Sequence, residues 1–265
     1  MSLAPDPIVF DVSPEGVAVV LLDRPAKRNA FDEEVISRLA DTFETLKGAD
    51  HVRVVFVRGK GETFCAGADI DWMRRQGERA REDNEADALE MARMFTHLHN
   101  LPQLTVALID GACMGGGIGL VAACDWAVAT KAAKFRFSEV RLGLTPATIS
   151  PFVIEAIGPR RARGLFASGM PFDADAALRY GLIDEVVDNG EGLDSAMARL
   201  ANFASENAPG AVADAKALVR YVASHAGDDK LAHETAKRIA ARRASAEGRE
   251  GLAAFLERRA PEWKS

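Results

Sequence analysis

The chain has 265 residues, a length that suits one large domain or one domain with an appendage. Its 33 Lys and Arg against 39 Asp and Glu give a net charge of -6, which argues against a strongly basic nucleic-acid surface as its main function. Its three cysteines form no CxxC pair, which favours a reduced compartment. Because we see neither a signal-peptide pattern nor an apolar run near the roughly 20 residues of a membrane span, we expect a cytoplasmic protein.

The first part of the chain alternates apolar strand patterns with helical ones. Strands are predicted at residues 16–24, 52–59 and 104–111. Asp32 is expected to cap the first helix, with acidic residues near its positive end. The buried face of that helix is predicted from helical spacing to be Ile36, Leu39, Phe43 and Leu46.

Between the second and third strands the pattern is less regular. Residues 60–73 are predicted as a loop, and the charged segment 74–86 as mobile or solvated. A second helix is expected to stop before Pro102. Its apolar positions are predicted to be Leu89, Ala92, Phe95 and Leu98.

Beyond a glycine-rich stretch, the chain changes from mixed to purely helical patterns. The predicted elements are strands at 126–130, 134–140 and 182–187, a helix from Pro151 to Ile157, and a helix capped by Asp173 that ends at Gly181. Helices are then predicted at 193–206, 209–224, 228–246 and 250–259. This order predicts an α/β core at residues 1–192, followed by a C-terminal helical region at residues 193–265.

The glycine-rich stretch "MGGGIGLV" at residues 114–121 raises the question of a phosphate site. A dinucleotide fingerprint would need a third glycine after Gly119, and a P-loop would need Lys and a hydroxyl after Gly116; the chain has neither. A third interpretation fits better, in which glycines open a helix whose first N–H groups lack partners. Without Cβ atoms there, a substrate oxygen can approach the backbone, as in half of an oxyanion hole.

Five motifs in order carry a family resemblance that covers nearly the whole chain. They are "LDRPAKRNAF" (22–31), "FCAGADI" (64–70), "DGACMGGGIGLVAACD" (110–125), "KFRFSEVRLGLTPATISPF" (134–152) and "EGLAAFLERR" (250–259). They resemble the crotonase, or enoyl-CoA hydratase/isomerase, superfamily. The fourth is most similar to bacterial hydratases of methylglutaconyl-CoA and isohexenylglutaconyl-CoA. The resemblance implies a spiral of ββα units, helices that serve trimerisation, a homotrimer or dimer of trimers, and an acyl-CoA thioester substrate.

The resemblance also implies the catalytic residues. It assigns the oxyanion-hole N–H groups to Ala66 and Gly116, and the acid/base to Glu139. The best-studied hydratases have a second glutamate 20 residues earlier, where this chain has Gly119. The expected reaction is the addition of water to a 2-enoyl-CoA, with Glu139 acting first as base and then as acid. One carboxyl could equally move a double bond, so an enoyl-CoA isomerase is the first alternative.

Further residues are expected to bind the substrate. The family's CoA-binding stretch is matched by Lys27, Arg28 and Ala30. The residues expected to line the adenine side are Ala68, Asp69 and Ile70. Gly119 is also assigned to the substrate site. Trp72 is a candidate wall of the acyl pocket, and Arg258 a candidate phosphate ligand. If residues 134–140 continue as a strand, Arg141 shares a face with Glu139 and can pair with the free carboxylate of a glutaconyl group. Any of these basic residues can equally be a solvated charge.

We expect neither a metal nor a cofactor beyond the coenzyme A of the substrate, since the histidines are scattered. No nucleic-acid or membrane partner is expected. The alternative from another class is a non-catalytic acyl-CoA- or RNA-binding relative, against which the acidic balance weighs.

Overall fold

The computed structural model describes residues 6–264. Its strands are β1 (Ile8–Val12), β2 (Val17–Leu22), β3 (Val54–Gly59), β4 (Thr63–Cys65), β5 (Leu104–Ile109), β6 (Ala112–Met114), β7 (Trp126–Thr130), β8 (Lys134–Arg136), β9 (Phe172–Asp173) and β10 (Glu185–Val187). Its α-helices are α1 (Glu33–Lys47), α2 (Ile70–Gly77), α3 (Arg81–His99), α4 (Gly116–Ala123), α5 (Ser150–Ile157), α6 (Pro159–Ser168), α7 (Ala174–Tyr180), α8 (Gly190–Glu206), α9 (Pro209–Ser224), α10 (Leu231–Ala244) and α11 (Ala246–Glu257). Short 3-10 helices span Pro25–Lys27, Glu139–Leu142 and Glu262–Lys264.

Two sheets organise the chain. One has six strands in the order β1-β2-β3-β5-β7-β10, and the other has four in the order β4-β6-β8-β9. Only the β1–β2 and β8–β9 pairs among these strands are antiparallel. Each pass of the chain from β3 to β8 places one strand in the large sheet and the next in the small sheet. The small sheet therefore collects three parallel strands whose carboxyl ends face one edge.

Packed cores cover both faces of the central strands of the large sheet, and alternate side chains of these strands face opposite cores. Val55 and Ala107 face the larger apolar core, which includes the buried face predicted for α1. Val54 and Val106 face the other side, where Leu193 and Leu200 of α8 cover them. The predicted boundary at residue 192 would separate α8 from the sheet that it covers, so α8 belongs structurally with the core.

The segment predicted as a loop and a mobile stretch is largely helical. Asp69 caps α2, its side chain accepting the N–H groups of Asp71 and Trp72, and α3 begins at Arg81. The charged residues there have good helix propensity and their side chains face water. The segment therefore lacks the apolar periodicity from which a helix is predicted. In α3 the predicted positions Phe95 and Leu98 are buried, whereas the predicted Leu89 is exposed and the buried face also includes Met91 and Met94.

The strand predicted at residues 134–140 is also shorter than expected. β8 ends at Arg136, and the chain turns into the 3-10 helix Glu139–Leu142, which Gly143 ends with φ +74°. The N–H of Leu144 donates to the carbonyl of Glu139 at 3.0 Å and closes that turn. Strand alternation therefore does not apply to Glu139 and Arg141.

The remaining caps and most of the remaining helices follow the sequence, but α6 was not predicted and α11 begins at Ala246 instead of residue 250. The side chain of Asp32 accepts the N–H of Val35, and that of Asp173 accepts the N–H of Ala176. α9 has the predicted limits. Within residues 6–264, no helix combines the length and apolar character needed to cross a bilayer.

Candidate active site

Three segments that follow neighbouring parallel strands meet at one edge of the small sheet. Residues 66–70 follow β4, Gly115 and Gly116 follow β6, and Glu139 opens the 3-10 helix after β8. Parallel strands bring their carboxyl ends to the same edge, which is where open α/β sheets commonly form ligand crevices. All three segments line one cavity of about 230 Å³.

The structure contradicts the role predicted for the N–H of Ala66. This group donates to the carbonyl oxygen of Arg28, with an N···O distance of 3.0 Å, so it is already occupied. The bond ties the loop after β4 to the turn that follows the first 3-10 helix. Ala66 does line the cavity, but its N–H cannot also hold a substrate oxygen without losing this bond.

Unlike the N–H of Ala66, the N–H of Ala68 is not engaged in a hydrogen bond within the described structure. In a parallel bridge with Phe31, the N–H of Asp69 donates to the Phe31 carbonyl at 2.6 Å, and the carbonyl of Gly67 accepts from the Phe31 N–H at 2.8 Å. Successive backbone groups of an extended segment point to opposite sides, so this bridge turns the N–H of Ala68 away from Phe31. Among the described residues nothing accepts it, and Ala68 lines the cavity.

Gly116 supplies a second backbone N–H in the cavity. Gly115 is the N-cap of α4, with φ +47° and ψ −115°, and its own N–H donates to the carbonyl of Arg136 at 3.0 Å. As the first helical residue, Gly116 has no carbonyl within the helix to accept its N–H. No other acceptor bonds it in the described part of the chain, and the positive end of the helix dipole adds to its attraction for anions.

Glu139 places a carboxyl group in the same cavity. Its side chain is half-buried, and Oε2 has no hydrogen-bond partner among the described residues. Burial raises the pKa of Glu139 above its ordinary value, although the N–H groups of Glu139 and Ser138 oppose the shift. A Cβ on Gly115 would stand 3.1 Å from Oε1 of Glu139, so a side chain there would press on this carboxyl. A raised pKa makes this carboxyl a stronger base once it is ionised, which suits a group that must take up a proton.

Gly119 does not line the cavity, contrary to the prediction that counted it with the substrate site. It is buried in α4, and a Cβ there would stand 2.3 Å from Cγ2 of Ile149 and 2.9 Å from two ring carbons of Phe95. Ile149 itself lines the cavity. The space for a second acidic side chain is therefore filled by packed apolar groups.

Arg141 is not brought to the cavity either. It is exposed, and its Cγ lies near Gly169, 3.6 Å from the position of a Cβ there. The predicted pairing with a substrate carboxylate depended on a strand that ends at Arg136. Among the described residues that line the cavity, Glu139 is the charged one.

The walls of the cavity are mostly apolar, with hydroxyl groups from Ser138, Thr145 and Thr148. Trp72 lies in the lining, as predicted, and its indole N–H is buried without a partner in the part of the chain described. Sequence reasoning missed the other wall residues, including Met91 from α3 and Ile149. A hydroxyl also reaches the wall, where Thr148 lies 3.5 Å from the sulfur of Met91. The motif "GLTPATIS" contained two of these residues, but no spacing rule assigned them to the pocket.

The predicted CoA-binding residues lie around the cavity. Nζ of Lys27 is 3.6 Å from Oδ2 of Asp69, beside the exposed Ile70 at the start of α2. Burial opposes ionisation of Asp69, but the N–H groups of Trp72 and Asp71 and the charge of Lys27 outweigh it and lower its pKa. Arg28 is exposed, with φ +50°.

Two predicted contacts lie further from the cavity. Ala30 is buried, and its carbonyl accepts Nη1 of Arg24 at 3.0 Å, so its part in the structure is to hold the turn. Arg258 ends α11 with φ +58° and is not among the described residues that line the cavity.

Comparison with known proteins identifies the family. The sequence model of the family described as enoyl-CoA hydratase/isomerase matches residues 13–265. The chain belongs to this family, and to the crotonase superfamily that contains it. The predicted α/β crotonase-type fold with a helical C-terminal region is confirmed.

Individual relatives resemble the chain over almost all of its length. The crystal structure of an enoyl-CoA hydratase from Shewanella pealeana superposes with a TM-score of 0.93 at 38% identity, covering 97% of this chain and 96% of that one. Pseudomonas aeruginosa AtuE gives a TM-score of 0.93 at 32% identity, covering 98% and 100%. The mevalonyl-coenzyme A hydratase sidH of Aspergillus fumigatus is 30% identical over 253 residues, covering 94% and 91%.

Proposed function

We propose that the protein is an enoyl-CoA hydratase that adds water to a 2-enoyl-CoA thioester. The observation that carries this proposal is the convergence of two unpartnered backbone N–H groups, on Ala68 and Gly116, with the carboxyl of Glu139 in one cavity. Membership of the enoyl-CoA hydratase/isomerase family supports it independently.

The chemistry follows from where charge develops. Attack of water on C3 of the enoyl group moves electrons onto the thioester oxygen, and the N–H groups of Ala68 and Gly116 stabilise that oxyanion. Removing one such donor typically slows an enzyme about 10²–10³-fold. Glu139 takes a proton from the attacking water and returns a proton to C2 as the carbonyl re-forms. The net change is the addition of one water molecule, and Glu139 ends as it began.

We propose an apolar acyl group for this substrate. The lining around Trp72 and Met91 is apolar, and Glu139 is its charged residue in the described structure. A glutaconyl group carries a second carboxylate. In this cavity that carboxylate would have no cationic side chain to pair with, and it would lie beside the carboxyl group of Glu139. The glutaconyl-type substrate that the sequence resemblance implies stands as the alternative, and competition between the two thioesters tests it.

We propose that the coenzyme A moiety lies across the exposed side of the cavity. Lys27 and Arg28 are exposed near Asp69 and Ile70, where phosphate groups can reach them. Arg258 is proposed to contribute from a neighbouring copy. The coenzyme is part of the substrate, and the proposed steps use no other cofactor.

We further propose that the chain self-associates into a homotrimer or a dimer of trimers. The C-terminal region exposes large apolar side chains, with Phe255 81% and Leu256 79% accessible. Val219, Ile239 and Leu252 are exposed in the same region. Such a concentration of apolar surface is typical of an interface, and sedimentation of the purified chain tests this proposal.

Because Glu139 is the one carboxyl group among the described residues that line the cavity, we keep an enoyl-CoA isomerase as the second candidate function. Because Ile149 and Phe95 fill the space beside Gly119, Glu139 has no second acid to share the work. One base can shuttle a proton between two carbons of an enoyl chain over the same oxyanion hole.

The decisive experiment incubates the protein with crotonyl-CoA and, separately, with a 3-enoyl-CoA, and identifies the products by mass. Hydration gives a product heavier by one water, whereas isomerisation leaves the mass unchanged. Glu139→Gln is expected to lose the activity of either kind. Full activity in Glu139→Gln would refute the mechanism, and no turnover of any enoyl-CoA would favour a non-catalytic acyl-CoA- or RNA-binding protein.

A further inference from the structure

We propose that Asn29 is a positioning residue that holds the N–H of Ala68 in place for catalysis. The inference rests on the proposed function, because it concerns the oxyanion hole of that reaction. Asn29 does not line the cavity and touches no reacting atom; it acts through the loop after β4.

The side chain of Asn29 joins two segments of the chain that are distant in sequence. It is 1% exposed, and its Oδ1 accepts the N–H of Arg24 at 2.9 Å. Its Nδ2 donates to the carbonyl oxygens of Lys60, Thr63 and Phe64 at 3.1, 2.7 and 3.3 Å. The amide thus spans from the turn before the first 3-10 helix to β4, the strand that leads into the loop. Few side chains offer a donor and an acceptor in so small a volume.

The backbone at this point is held in an unusual conformation. Arg28 has φ +50° and Asn29 has φ +56°, two consecutive non-glycine residues in the left-handed region. Such a conformation is strained for a non-glycine residue and persists only where its surroundings enforce it. The hydrogen bonds of the Asn29 side chain help to enforce it, together with the backbone bond from the N–H of Asn29 to the carbonyl of Arg24 at 2.9 Å.

This conformation sets the direction of the groups that follow. It aims the carbonyl of Arg28 at the N–H of Ala66, and it places Phe31 to bridge with Ala68. Those two contacts occupy one side of the loop, and so leave the N–H of Ala68 on the cavity side. If the turn at Arg28 and Asn29 changes conformation, both contacts weaken. The N–H of Ala68 is then no longer held in one direction. A hydrogen-bond donor in an oxyanion hole works through its fixed direction.

The test compares the full-length protein with Asn29→Gly, which accepts a positive φ at no cost but removes all four side-chain hydrogen bonds. We expect kcat for crotonyl-CoA to fall about 10- to 100-fold, with KM changed less than about threefold. The spectroscopic readout is the NMR shift of bound butyryl-CoA labelled with carbon-13 at its carbonyl, a saturated thioester that cannot be hydrated. Binding to the parent protein should move this resonance downfield, and binding to the variant should move it less.

Gln103→Ala is the matched control. Gln103 is also buried, and its Nε2 donates to the carbonyl oxygens of Leu46 and Ala49 at 2.7 and 3.4 Å, in a part of the fold that does not line the cavity. This variant should lose stability without altering the carbonyl resonance. Asn29→Asp, which has the same shape and keeps the acceptor but loses the donors, decides the question if Asn29→Gly does not fold.

The outcomes separate the two proposals. A folded Asn29 variant with the parent's kcat and the parent's carbonyl shift overturns the positioning role and leaves the proposed function intact. A parent protein that neither hydrates crotonyl-CoA nor shifts the carbonyl resonance overturns the proposed function itself.

Discussion

Gly119 lies so close to Ile149 that no side chain fits between them: a Cβ on Gly119 would stand 2.3 Å from Cγ2 of Ile149. The position where related hydratases have a second glutamate is therefore a packing site in this protein. Phe95 closes the same space from α3. The missing acid and the apolar wall of the cavity are two consequences of one arrangement.

We therefore do not expect a glutamate at position 119 to act as a second catalytic acid. Gly119→Glu should lower the free energy of unfolding by about 2–3 kcal/mol, because it forces Ile149 and Phe95 apart, and it should not speed hydration. Denaturant unfolding and crotonyl-CoA turnover measure the two effects. Gly119→Ala should lower the free energy of unfolding by less. Adding Ile149→Ala to the Gly119→Ala variant should recover part of the stability that Gly119→Ala loses. A stable Gly119→Glu variant with faster turnover would contradict this view.

The raised pKa of Glu139 should appear in the pH profile. Glu139 must be ionised to accept a proton from water, so kcat/KM should fall as the pH drops through its pKa, which burial places above the ordinary value of 4.5. Initial rates at constant ionic strength give the profile. Asp184 provides the control, since burial also raises its pKa but it lies outside this cavity. Asp184→Asn should leave the acid limb unchanged, and a limb at or below pH 4.5 would be the contrary result.

The same carboxyl should cost stability when ionised. A pKa that is higher in the folded than in the unfolded protein means that its contribution to stability is fully present below the unfolded pKa and is lost as the pH rises through the folded pKa. Glu139→Gln stays neutral, so it should be more stable than the parent at pH 7, and this advantage should shrink as the pH falls toward 4.5. Urea unfolding at several pH values measures it. Equal advantage at every pH would show that charge is not the cause.

Arg141 should be dispensable for catalysis. Because it is exposed and lies outside the cavity lining, Arg141→Ala should change kcat and KM by less than about twofold, for crotonyl-CoA and for a glutaconyl-CoA alike. Steady-state kinetics with both thioesters provide the measurement. Met91→Ala, which removes part of the wall, should lower kcat/KM and serves as the positive control. A selective rise in KM for the glutaconyl thioester would restore the role that the sequence predicted for Arg141.

Local rules determined much of this protein. The caps Asp32 and Asp173, the buried face of α1 and the limits of α9 follow from hydrogen-bonding capacity and periodicity, which are properties of a few neighbouring residues. Motif resemblance was sufficient to identify the family, and it named Gly116 and Glu139, which both line the cavity. These features need no knowledge of distant contacts.

Tertiary structure decided which backbone group is free and which side chain fits. The N–H of Ala66 is occupied because Arg28, 38 residues earlier in the chain, comes beside it, and the bridge of Phe31 with Ala68 frees a different N–H. Gly119 excludes a side chain because Ile149 folds back onto it, and the turn after β8 takes Arg141 out of the cavity. The sequence by itself determined many of the elements and the family, since these depend on short-range patterns. Only the fold determined the geometry of the site, because the contacts that aim each group join residues far apart in the chain.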